Sequence, residues 1–258
     1  MIRTPSTLSD VGNIVILTGA GLSAESGIPT FRTKGAVSYW ETRDADGAAR
    51  FHRVEDVCTP EALARDEGLV QGFYDARRAG LAEVAPNDAH RALARLAAEW
   101  DGGLTIVTQN VDDLLERGGV PAAEVWHMHG RLRSALCRAC GGRFAWEGPL
   151  IDGPLCPGCG TAGALRPDIV FFGEMPYDME RIEAALAAAD LFVSIGTSGA
   201  VYPAAGFVQM ARHHGAQTLE LNLEPSAGSA MFHETRLGRA GVLVPAWVDM
   251  VLAGGALR

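Results

Sequence analysis

The sequence predicts an α/β fold, in which a Rossmann-like parallel sheet carries helices on both faces and a smaller domain is inserted into it. Three observations lead to this prediction. Short apolar runs rich in β-branched residues alternate with helix-like stretches, a glycine-rich loop follows the first run, and paired cysteines interrupt the alternation later in the chain. Alternation of this kind is typical of parallel sheets, because each helical crossover returns the chain to the same end of the sheet.

The predicted strands are short apolar runs bounded by polar or glycine-containing segments. They cover residues 14–17, 104–107, 124–129, 191–195, 218–223 and 242–244. Helical spacing of apolar residues fills several of the intervals, with Leu93 and Leu96 in 89–100 and Ile182 and Leu186 in 181–189. We expect these helices to pack on the faces of the sheet.

Two stretches break the alternation and indicate the smaller domain. Residues 32–86 are mostly helical in character, and residues 137–159 are rich in glycine, proline and cysteine. We therefore expect residues 1–31, 87–130 and 166–258 to form the Rossmann-like domain. The helical insertion 32–86 and the cysteine-containing segment 131–165 would together form the smaller one.

Composition and charge limit the classes of function. The chain has 258 residues, of which 48% are hydrophobic and 21% charged, which is enough apolar material for a globular core. Its net charge of -9 repels a phosphate backbone, so binding to nucleic acid is not expected. The N-terminal residues lack the apolar core of a secretory signal, and no apolar run approaches the roughly 20 residues that cross a bilayer. These features predict a cytoplasmic, monomeric protein without a membrane segment.

The paired cysteines predict a structural metal site. Cys137 with Cys140, and Cys156 with Cys159, each have the C-x-x-C spacing and are followed by glycines that allow tight turns. Four thiolates complete a tetrahedral zinc shell and leave no position open for catalysis. Disulfides are the alternative, which a reducing compartment disfavours. The smaller domain would thus combine a helical insertion with a zinc ribbon.

The glycine-rich loop suggests a binding site for a phosphate-containing ligand. Gly19, Gly21 and Ala24 follow the first strand with G-x-G-x-x-A spacing, which lets the main chain approach a pyrophosphate. Small residues at these positions also serve plain packing of a strand against a helix, and this alternative stays open. The acidic residue expected about twenty positions later in dinucleotide-binding folds is missing, so a cofactor would be held differently.

The chain resembles the sirtuins in motifs that occur in order along nearly its whole length. These are GAGLSAESGIPTFR, TQNVDDLLERGG, HMHG, CRAC with CPGC, RPDIVFFGE, GTSGAVYPAAGF and NLEP. The resemblance implies a zinc-containing enzyme that consumes NAD to remove acyl groups from lysine side chains of proteins, releasing nicotinamide and O-acyl-ADP-ribose. A deacetylase only, a protein mono-ADP-ribosyltransferase, a non-catalytic NAD-sensing module and a dehydrogenase are the competing interpretations.

The resemblance also implies where NAD binds. The residues concerned are Gly19, Ala20, Gly21, Glu25, Phe31 and Arg32 on the diphosphate and nicotinamide side, Gln109, Asn110 and Asp112 at the reacting ribose, and Gly196, Thr197, Ser198, Asn222, Glu224 and Ala240 on the adenosine side. Most of these follow predicted strands, at the sheet edge where ligands bind in open α/β folds. Without the resemblance, helix capping by Asp112 and a solvated loop position for Glu224 are ordinary alternatives.

Two histidines alternate near the end of the third predicted strand. The family motif has its catalytic histidine directly before a glycine, which selects His129 before Gly130. Imidazole titrates near neutrality, so His129 could take a proton from a ribose hydroxyl. His127 is expected to be structural, since the four cysteines provide better metal ligands.

A further part of the resemblance concerns the acyl group. Tyr74 and Arg77 lie three residues apart on a predicted helix and match the class III sirtuins, which remove succinyl and malonyl groups and, in bacteria, commonly acetyl groups as well. A guanidinium beside a phenol can bind the distal carboxylate of such a chain, with Arg78 pointing elsewhere. An exposed helical arginine is the alternative interpretation of Arg77.

Three other positions complete the expected substrate site. Val170 and Phe171 would form the walls of the acyl tunnel and an edge that pairs with the substrate main chain. By the resemblance, Cys58 stands where the subclass usually has alanine, and because cysteine is larger, the width of the acyl pocket and the preferred chain length stay open. The segment 38–56 is longer and more polar than the family pattern, and the sequence offers no account of it.

Overall fold

The computed structural model describes residues 11–29, 32–34, 37–43 and 49–254, with the main chain alone between residues 32 and 50. The strands are β1 Asn13–Thr18, β2 Arg32–Lys34, β3 Val37–Arg43, β4 Ala49–Arg53, β5 Gly103–Thr108, β6 Val125–His127, β7 Gly130–Cys137, β8 Arg143–Ala145, β9 Leu165–Ile169, β10 Leu191–Ile195, β11 Gln217–Asn222 and β12 Glu234–Leu237. The α-helices are α1 Ala20–Ala24, α2 Val54–Val57, α3 Pro60–Arg65, α4 Glu67–Gly80, α5 Asp88–Glu99, α6 Leu114–Arg117, α7 Met179–Ala187, α8 Phe207–His213 and α9 Ala240–Leu252.

The main sheet has six parallel strands in the order β12-β11-β10-β1-β5-β6. β1 lies at its centre, and Ile16 is in register with Val193 of β10 on one side and Ile106 of β5 on the other. The chain leaves β1 toward β5 and later returns to β10 on the opposite side. This reversal opens a crevice at the carboxyl ends of β1 and β10, where ligands bind in open α/β sheets.

Both faces of this sheet are covered by helices, as predicted. Ile14 and Ile16 of β1 pack with α5 and α9, whereas Val15 and Leu17 point to the other face, toward α7 and α8. Successive side chains of a strand point to opposite faces, so a strand buried on both sides is apolar throughout. This accounts for the continuous apolar run of β1 and the mainly apolar sequences of β5 and β10. Strand β11, with the sequence QTLELN, instead buries the polar residues Thr218 and Glu220 beside its leucines.

The strand predicted at 242–244 is wrong, because these residues lie inside helix α9. The sixth parallel strand is β12, just before it, which pairs with β11. In α9 the residues Val244, Trp247, Val248 and Val251 are buried, at the spacing of one helix face. A short apolar run does not distinguish a strand from a buried helix, and the correct assignment appears only with the longer pattern.

Residues 32–86 are less helical than expected. Strands β2, β3 and β4 form an antiparallel sheet, and helices begin only with α2 at Val54. The sequence of β3, VSYWETR, is rich in aromatic and β-branched residues, which favour strands. From Val54 onward the helical prediction is correct, and α2 to α4 surround an apolar cluster that includes Tyr74 and Phe171.

The cysteine-containing segment forms a third sheet, with β7 between β8 and β9 in antiparallel pairing. Cys137 ends β7 beside Leu165 of β9, and Leu150 and Ala164 pack on the same small core. In the part of the chain that the structure describes, no helix is long and apolar enough to cross a membrane.

Candidate functional site

The crevice between β1 and β10 is closed at its base by three glycines. The amide of Gly21 donates to Gly196 O across 2.8 Å, and a Cβ on Gly21 would lie 2.7 Å from the Cα of Gly196. A Cβ on Gly19 would lie 2.8 Å from the same carbonyl oxygen. Gly196 itself has a φ of 63°, a left-handed conformation that favours glycine. The predicted phosphate loop therefore also serves close packing of two main-chain segments, so both interpretations of its glycines are compatible.

The residues predicted for the adenosine side surround this crevice. Asn222 Nδ2 donates to Thr197 O across 2.7 Å, which joins the ends of β10 and β11. The Thr197 hydroxyl is buried and lies 2.9 Å from Ser194 Oγ, whereas Ser198 and Glu224 are exposed. A small cavity of about 20 Å³ opens here, and its lining includes Gln109, Thr197, Gly199, Ser226 and Gly228. Sequence reasoning missed Gly199, Ser226 and Gly228, since only the folded loops bring them together.

Glu25 is held by the N-terminus of α9. Its carboxylate accepts hydrogen bonds from the Gly241 amide at 3.0 Å and from Arg239 Nε at 3.0 Å. A carboxylate at this end of a helix is favoured by unpaired amides and by the helix dipole. Ala240, predicted beside the last strand, is instead the first residue of α9. Phe31 lies outside the described residues, and the side chain of Arg32 is not described.

Asn110 is anchored so that one polar atom remains available. Its main-chain amide donates to Thr108 Oγ1 at 3.0 Å. Its side-chain Nδ2 donates to Gly19 O at 3.0 Å and to Ser23 Oγ at 3.1 Å. None of the described residues donates a hydrogen bond to its Oδ1. The carboxamide oxygen can therefore accept a hydrogen bond from a ligand in the crevice.

A buried network behind Asn110 includes two residues that the sequence interpretation overlooked, Ser23 and His90. His90 Nδ1 accepts from the Asn87 amide at 3.2 Å, which leaves Nε2 protonated and 3.4 Å from Ser23 Oγ. Burial lowers the pKa of His90 to about 4, with a further contribution from the charge of Arg91. No signal in the sequence links His90 to the site.

Asp112 is buried beside the same serine. Burial raises the pKa of its carboxyl group above the ordinary value, opposed by hydrogen bonds from the Leu114 amide and Ser23. Its Oδ1 accepts from the Leu114 amide at 3.1 Å, so the capping role that the sequence allowed is present at the start of α6. The structure thus places Asp112 and Asn110 together around Ser23.

His129 has the orientation that a general base requires. Its Nδ1 lies 3.1 Å from Gln109 O, an acceptor, so the proton resides on Nδ1 and the lone pair on Nε2 is free. Burial lowers the pKa of His129, partly offset by this hydrogen bond. The side chain is therefore neutral at physiological pH and able to accept a proton.

Both ring nitrogens of His127, for which a structural role was predicted, have partners inside the protein. Nδ1 lies 3.1 Å from Asn110 O and Nε2 lies 2.8 Å from Glu116 Oε1.

Three of the predicted acyl-binding residues, Cys58, Tyr74 and Phe171, belong to one buried apolar cluster, against which Val111 of the loop after β5 packs. Tyr74 is completely buried, and its hydroxyl donates to Cys58 Sγ at 3.2 Å. Its ring stacks on Phe171 with centroids 5.9 Å apart, which places Phe171 in the wall of this region. Burial raises the pKa of Tyr74 well above its ordinary value, and it raises the pKa of the Cys58 thiol. Both groups are therefore neutral hydrogen-bonding partners at physiological pH.

The two neighbouring arginines of α4 have different surroundings. The guanidinium of Arg77 lies 5.5 Å from the ring centroid of Phe73 and 5.8 Å from that of Tyr74. Burial lowers the pKa of Arg77, whereas its electrostatic interactions with Tyr74, Cys58 and Asp112 raise it. Arg78 points away, and its Nε donates to Leu132 O at 2.6 Å.

The main-chain amides of residues 170–172, where a substrate strand is expected to pair, already donate hydrogen bonds within the protein. The amide of Val170 donates to His129 O at 3.0 Å, that of Phe171 to Glu174 Oε2 at 2.8 Å, and that of Phe172 to Cys58 O at 2.9 Å. A substrate strand at this position would therefore be held through carbonyl oxygens.

The four paired cysteines come together at one end of the third sheet, and among the described residues they form no disulfide. Their sulfur atoms all lie within 4.8 Å of one another, and the Cys137–Cys159 and Cys140–Cys156 pairs are each 3.8 Å apart. A tetrahedral ion with Zn–S bonds of about 2.3 Å separates its sulfur ligands by about 3.8 Å. The site therefore fits a structural zinc ion held by Cys137, Cys140, Cys156 and Cys159.

Comparison with known proteins agrees with this arrangement. The profile described as "Sir2 family" matches residues 19–203, which include the glycine crevice, both histidines and the cysteine site. The chain belongs to the Sir2 family. Among curated relatives of this Sir2 protein, an NAD-dependent protein deacylase of Vibrio vulnificus is 52% identical over 243 residues, covering 93% of this chain and 94% of the relative. The NAD-dependent protein deacylase SIR2rp3 of Leishmania major is 52% identical over 244 residues, covering 93% and 95%.

Solved structures show the same Sir2 fold. A Sir2 homologue in complex with NAD superposes with a TM-score of 0.81 and 34% identity, over 95% of this chain and 91% of that one. A mutant Sir2 homologue with bound ADP-ribose gives a TM-score of 0.81 and 33% identity, over 95% and 94%. The Rossmann-like sheet, the use of NAD in this family and the four-cysteine site are thereby confirmed.

Proposed function

We propose that this Sir2 protein is an NAD-dependent protein-lysine deacylase that removes acetyl groups and short acyl groups ending in a carboxylate, such as malonyl and succinyl. The general activity is supported by family membership and by relatives named NAD-dependent protein deacylases. The observation that carries the finer proposal is the position of Arg77, beside Tyr74 and within the electrostatic influence of both Cys58 and Asp112.

The proposed reacting centre contains a general base and polar groups that bind the ligand, and the proposed reaction needs no protein nucleophile. When bound, NAD supplies an electrophilic ribose carbon from which nicotinamide can leave. His129, oriented by Gln109 O, offers Nε2 to a ribose hydroxyl as general base. Asn110 offers its free carboxamide oxygen, and Asp112 its buried carboxyl group, to the same part of the ligand. These roles of His129, Asn110 and Asp112 are part of the proposal.

The proposed NAD site runs along the crevice of the main sheet. Gly19, Gly21 and Gly196 keep its base free of side chains, which lets a diphosphate approach the main chain. The adenosine end would contact the residues at the ends of β10 and β11, namely Thr197, Ser198, Asn222 and Glu224. Glu25 would contribute indirectly, because it holds the start of α9 against this loop.

The acyl group would enter between α4 and the end of β9. Phe171 and Tyr74 supply apolar walls for the methylene groups, and Arg77 supplies a positive charge in a poorly solvated position, where it attracts a carboxylate more strongly than in water. Because Cys58 Sγ is the acceptor for the Tyr74 hydroxyl, a succinyl carboxylate must compete with the thiol for that donor. Cys58 is therefore expected to weaken succinyl binding relative to alanine.

The deciding experiment compares NAD-dependent removal of acetyl, malonyl and succinyl groups from peptides of one sequence, with products identified by mass spectrometry. The wild type should release nicotinamide and the matching O-acyl-ADP-ribose. Arg77→Met should lose at least about tenfold in kcat/KM for succinyl and malonyl peptides and little for acetyl, because only the former carry the charge it binds. His129→Asn should lose activity on all three.

Arg78→Met is the control for Arg77→Met, and Cys58→Ala tests the effect of the thiol on the acyl site. Arg78 makes structural hydrogen bonds, so its loss should lower the unfolding temperature without changing the ratio of succinyl to acetyl activity. Cys58→Ala should raise that ratio. Removal of acetyl alone, with Arg77→Met unchanged, would show a simple deacetylase. ADP-ribose found attached to the peptide would show a mono-ADP-ribosyltransferase.

A further inference from the structure

His127 is a second histidine beside the proposed NAD site, and its surroundings differ from those of His129 in one respect. Each ring has Nδ1 at 3.1 Å from a main-chain carbonyl oxygen of the loop after β5, Asn110 O for His127 and Gln109 O for His129. Only His127 has a carboxylate at the other nitrogen, with Nε2 at 2.8 Å from Glu116 Oε1. The His127 side chain is 4% exposed.

When Glu116 is ionised, both partners of His127 are hydrogen-bond acceptors, and neither can donate. A carbonyl oxygen has no proton to give, and neither does a carboxylate. A neutral imidazole carries one proton, so it would leave one of its two nitrogens with a lone pair facing an acceptor. Both hydrogen bonds form only if both ring nitrogens are protonated, that is, in the imidazolium form.

Glu116 is suited to be the counter-ion. Burial alone would raise the pKa of its carboxyl group, but the hydrogen bond and charge of His127 outweigh this and hold the pKa below its ordinary value. The other charged groups near His127 are Asp112, which its charge affects, and Arg131 of β7, which acts on Glu116. Across the cleft beside His127 lie Arg143, Asp168, Asp178 and Arg181.

The carbonyl that His127 holds is the middle one of three consecutive carbonyls tied to the segment from β6 to β7. The contacts are His129 Nδ1 to Gln109 O at 3.1 Å, His127 Nδ1 to Asn110 O at 3.1 Å and the Leu132 amide to Val111 O at 2.8 Å. Asn110 is thus fixed through its amide, its Nδ2 and its carbonyl oxygen, and only Oδ1 is left for a ligand. A charged donor holds a carbonyl more firmly than a neutral one.

We propose that His127 is a positioning residue for NAD binding: paired with Glu116, it acts as an imidazolium that fixes the main chain of Asn110 and so presents the carboxamide oxygen of that residue to the ligand. This inference rests on the proposed role of Asn110 in NAD binding. The two histidines therefore differ in charge: His129 is neutral and can act as a base, whereas His127 is a cation that holds the carbonyl oxygen of Asn110. The carboxylate of Glu116 beside His127 is the cause of this difference.

The test is NAD binding to the full-length, zinc-loaded protein, measured by titration calorimetry at about neutral pH. Asparagine places an amide nitrogen near the Nδ1 position of histidine, whereas glutamine places it near the Nε2 position. His127→Asn keeps a donor for Asn110 O, and His127→Gln keeps only the partner of Glu116. We expect His127→Gln to weaken NAD binding by about tenfold and His127→Asn by clearly less.

Glu116→Met tests the charge. Without the carboxylate, Nε2 has no acceptor, and a neutral ring protonated on Nδ1 still donates to Asn110 O. The variant should therefore bind NAD more weakly than wild type but more tightly than His127→Gln, which has no donor for that oxygen. In wild-type protein labelled with nitrogen-15 in histidine, NMR should find both His127 nitrogens protonated at neutral pH and His129 protonated on Nδ1 alone.

Two controls separate this inference from the function on which it rests. His233→Gln removes a histidine that bonds Thr218 at the far end of β11, and it should bind NAD like wild type. Asn110→Ala should weaken NAD binding; if it does not, the proposed role of Asn110 fails. If Asn110→Ala weakens binding while His127→Gln leaves it unchanged, or if NMR finds a neutral His127, the positioning role alone is overturned.

Discussion

Gln109 O accepts the Nδ1 proton of His129 across 3.1 Å, and this contact determines which nitrogen of the proposed base is free. Burial lowers the pKa of His129 below its ordinary value of 6.5. A base must be unprotonated to work, so activity should fall only when the pH drops through this lowered pKa. We expect the acid limb of the kcat/KM profile for acetyl-peptide to have its midpoint below 6.5, measured at saturating NAD. A midpoint above that value would contradict the assignment.

The contact between Gly21 and Gly196 predicts a position that does not tolerate a side chain. A Cβ on Gly21 would lie 2.7 Å from the Cα of Gly196 and 2.9 Å from its carbonyl oxygen, both main-chain atoms. Gly21→Ala should therefore cost about 1–3 kcal/mol in the free energy of unfolding and weaken NAD binding. Gly80→Ala is the control, since a Cβ at the end of α4 meets nothing within 4 Å. It should be neutral or stabilise by up to about 1 kcal/mol. Urea unfolding of both variants measures the difference.

The buried His90 predicts a pH dependence of stability. Its pKa is lowered to about 4 in the folded protein from 6.5, so the unfolded chain binds the proton more tightly. The stabilisation is present above pH 6.5 and is lost as the pH falls from there toward 4. Between pH 7 and pH 5 this one group should remove roughly 2 kcal/mol from the free energy of unfolding.

Between pH 7 and pH 5, the free energy of unfolding of His90→Gln should therefore fall by about 2 kcal/mol less than that of wild type. At pH 7 the variant is expected to be less stable than wild type. Comparing variant with wild type cancels other titrating groups, including the cysteines. His213→Gln, at an exposed position on α8, should follow the wild-type slope. Equal slopes for His90→Gln and wild type would show that His90 is not held in its neutral form.

The four-cysteine site predicts a metal-dependent fold. Cys140→Ser removes one of four ligands and should abolish stoichiometric zinc, measured by atomic spectroscopy, and lower the unfolding temperature. A strong chelator should have the same effect on wild type. Cys58→Ser, which changes the cysteine outside the cluster, should keep its zinc. Full zinc content in Cys140→Ser would mean that another ligand replaces the thiolate.

Much of the fold was predictable because the central strands are buried on both faces. The apolar sequences of β1, β5 and β10 carry that information locally, and the C-x-x-C pairs identify the zinc site by spacing alone. The prediction at 242–244 failed because three apolar residues fit a strand or a helix equally well, and the helix appears only in the longer pattern that Val244, Trp247 and Val251 continue.

Residues of the proposed site could be chosen from the sequence where the chemistry is tied to a motif, but not where it depends on hydrogen-bond partners. His129, Asn110 and the pair Tyr74 and Arg77 stand in motifs that the family resemblance identifies. Ser23 and His90 carried no comparable signal, because their importance comes from hydrogen bonds between residues that are distant in the chain.

The parallel α/β class, the zinc ligands and the residue types proposed for the reacting centre could be predicted from the sequence, because periodicity, spacing and motif are local properties. The charge states and orientations on which the proposed chemistry depends follow from the folded structure alone. His127 and His129 are the same residue type two positions apart, and nothing local distinguishes their rings. Nε2 of His127 lies beside the carboxylate of Glu116, whereas Nε2 of His129 has no such partner among the described residues. Proton positions follow from hydrogen-bond partners, and those partners are brought together by the packing of separate elements.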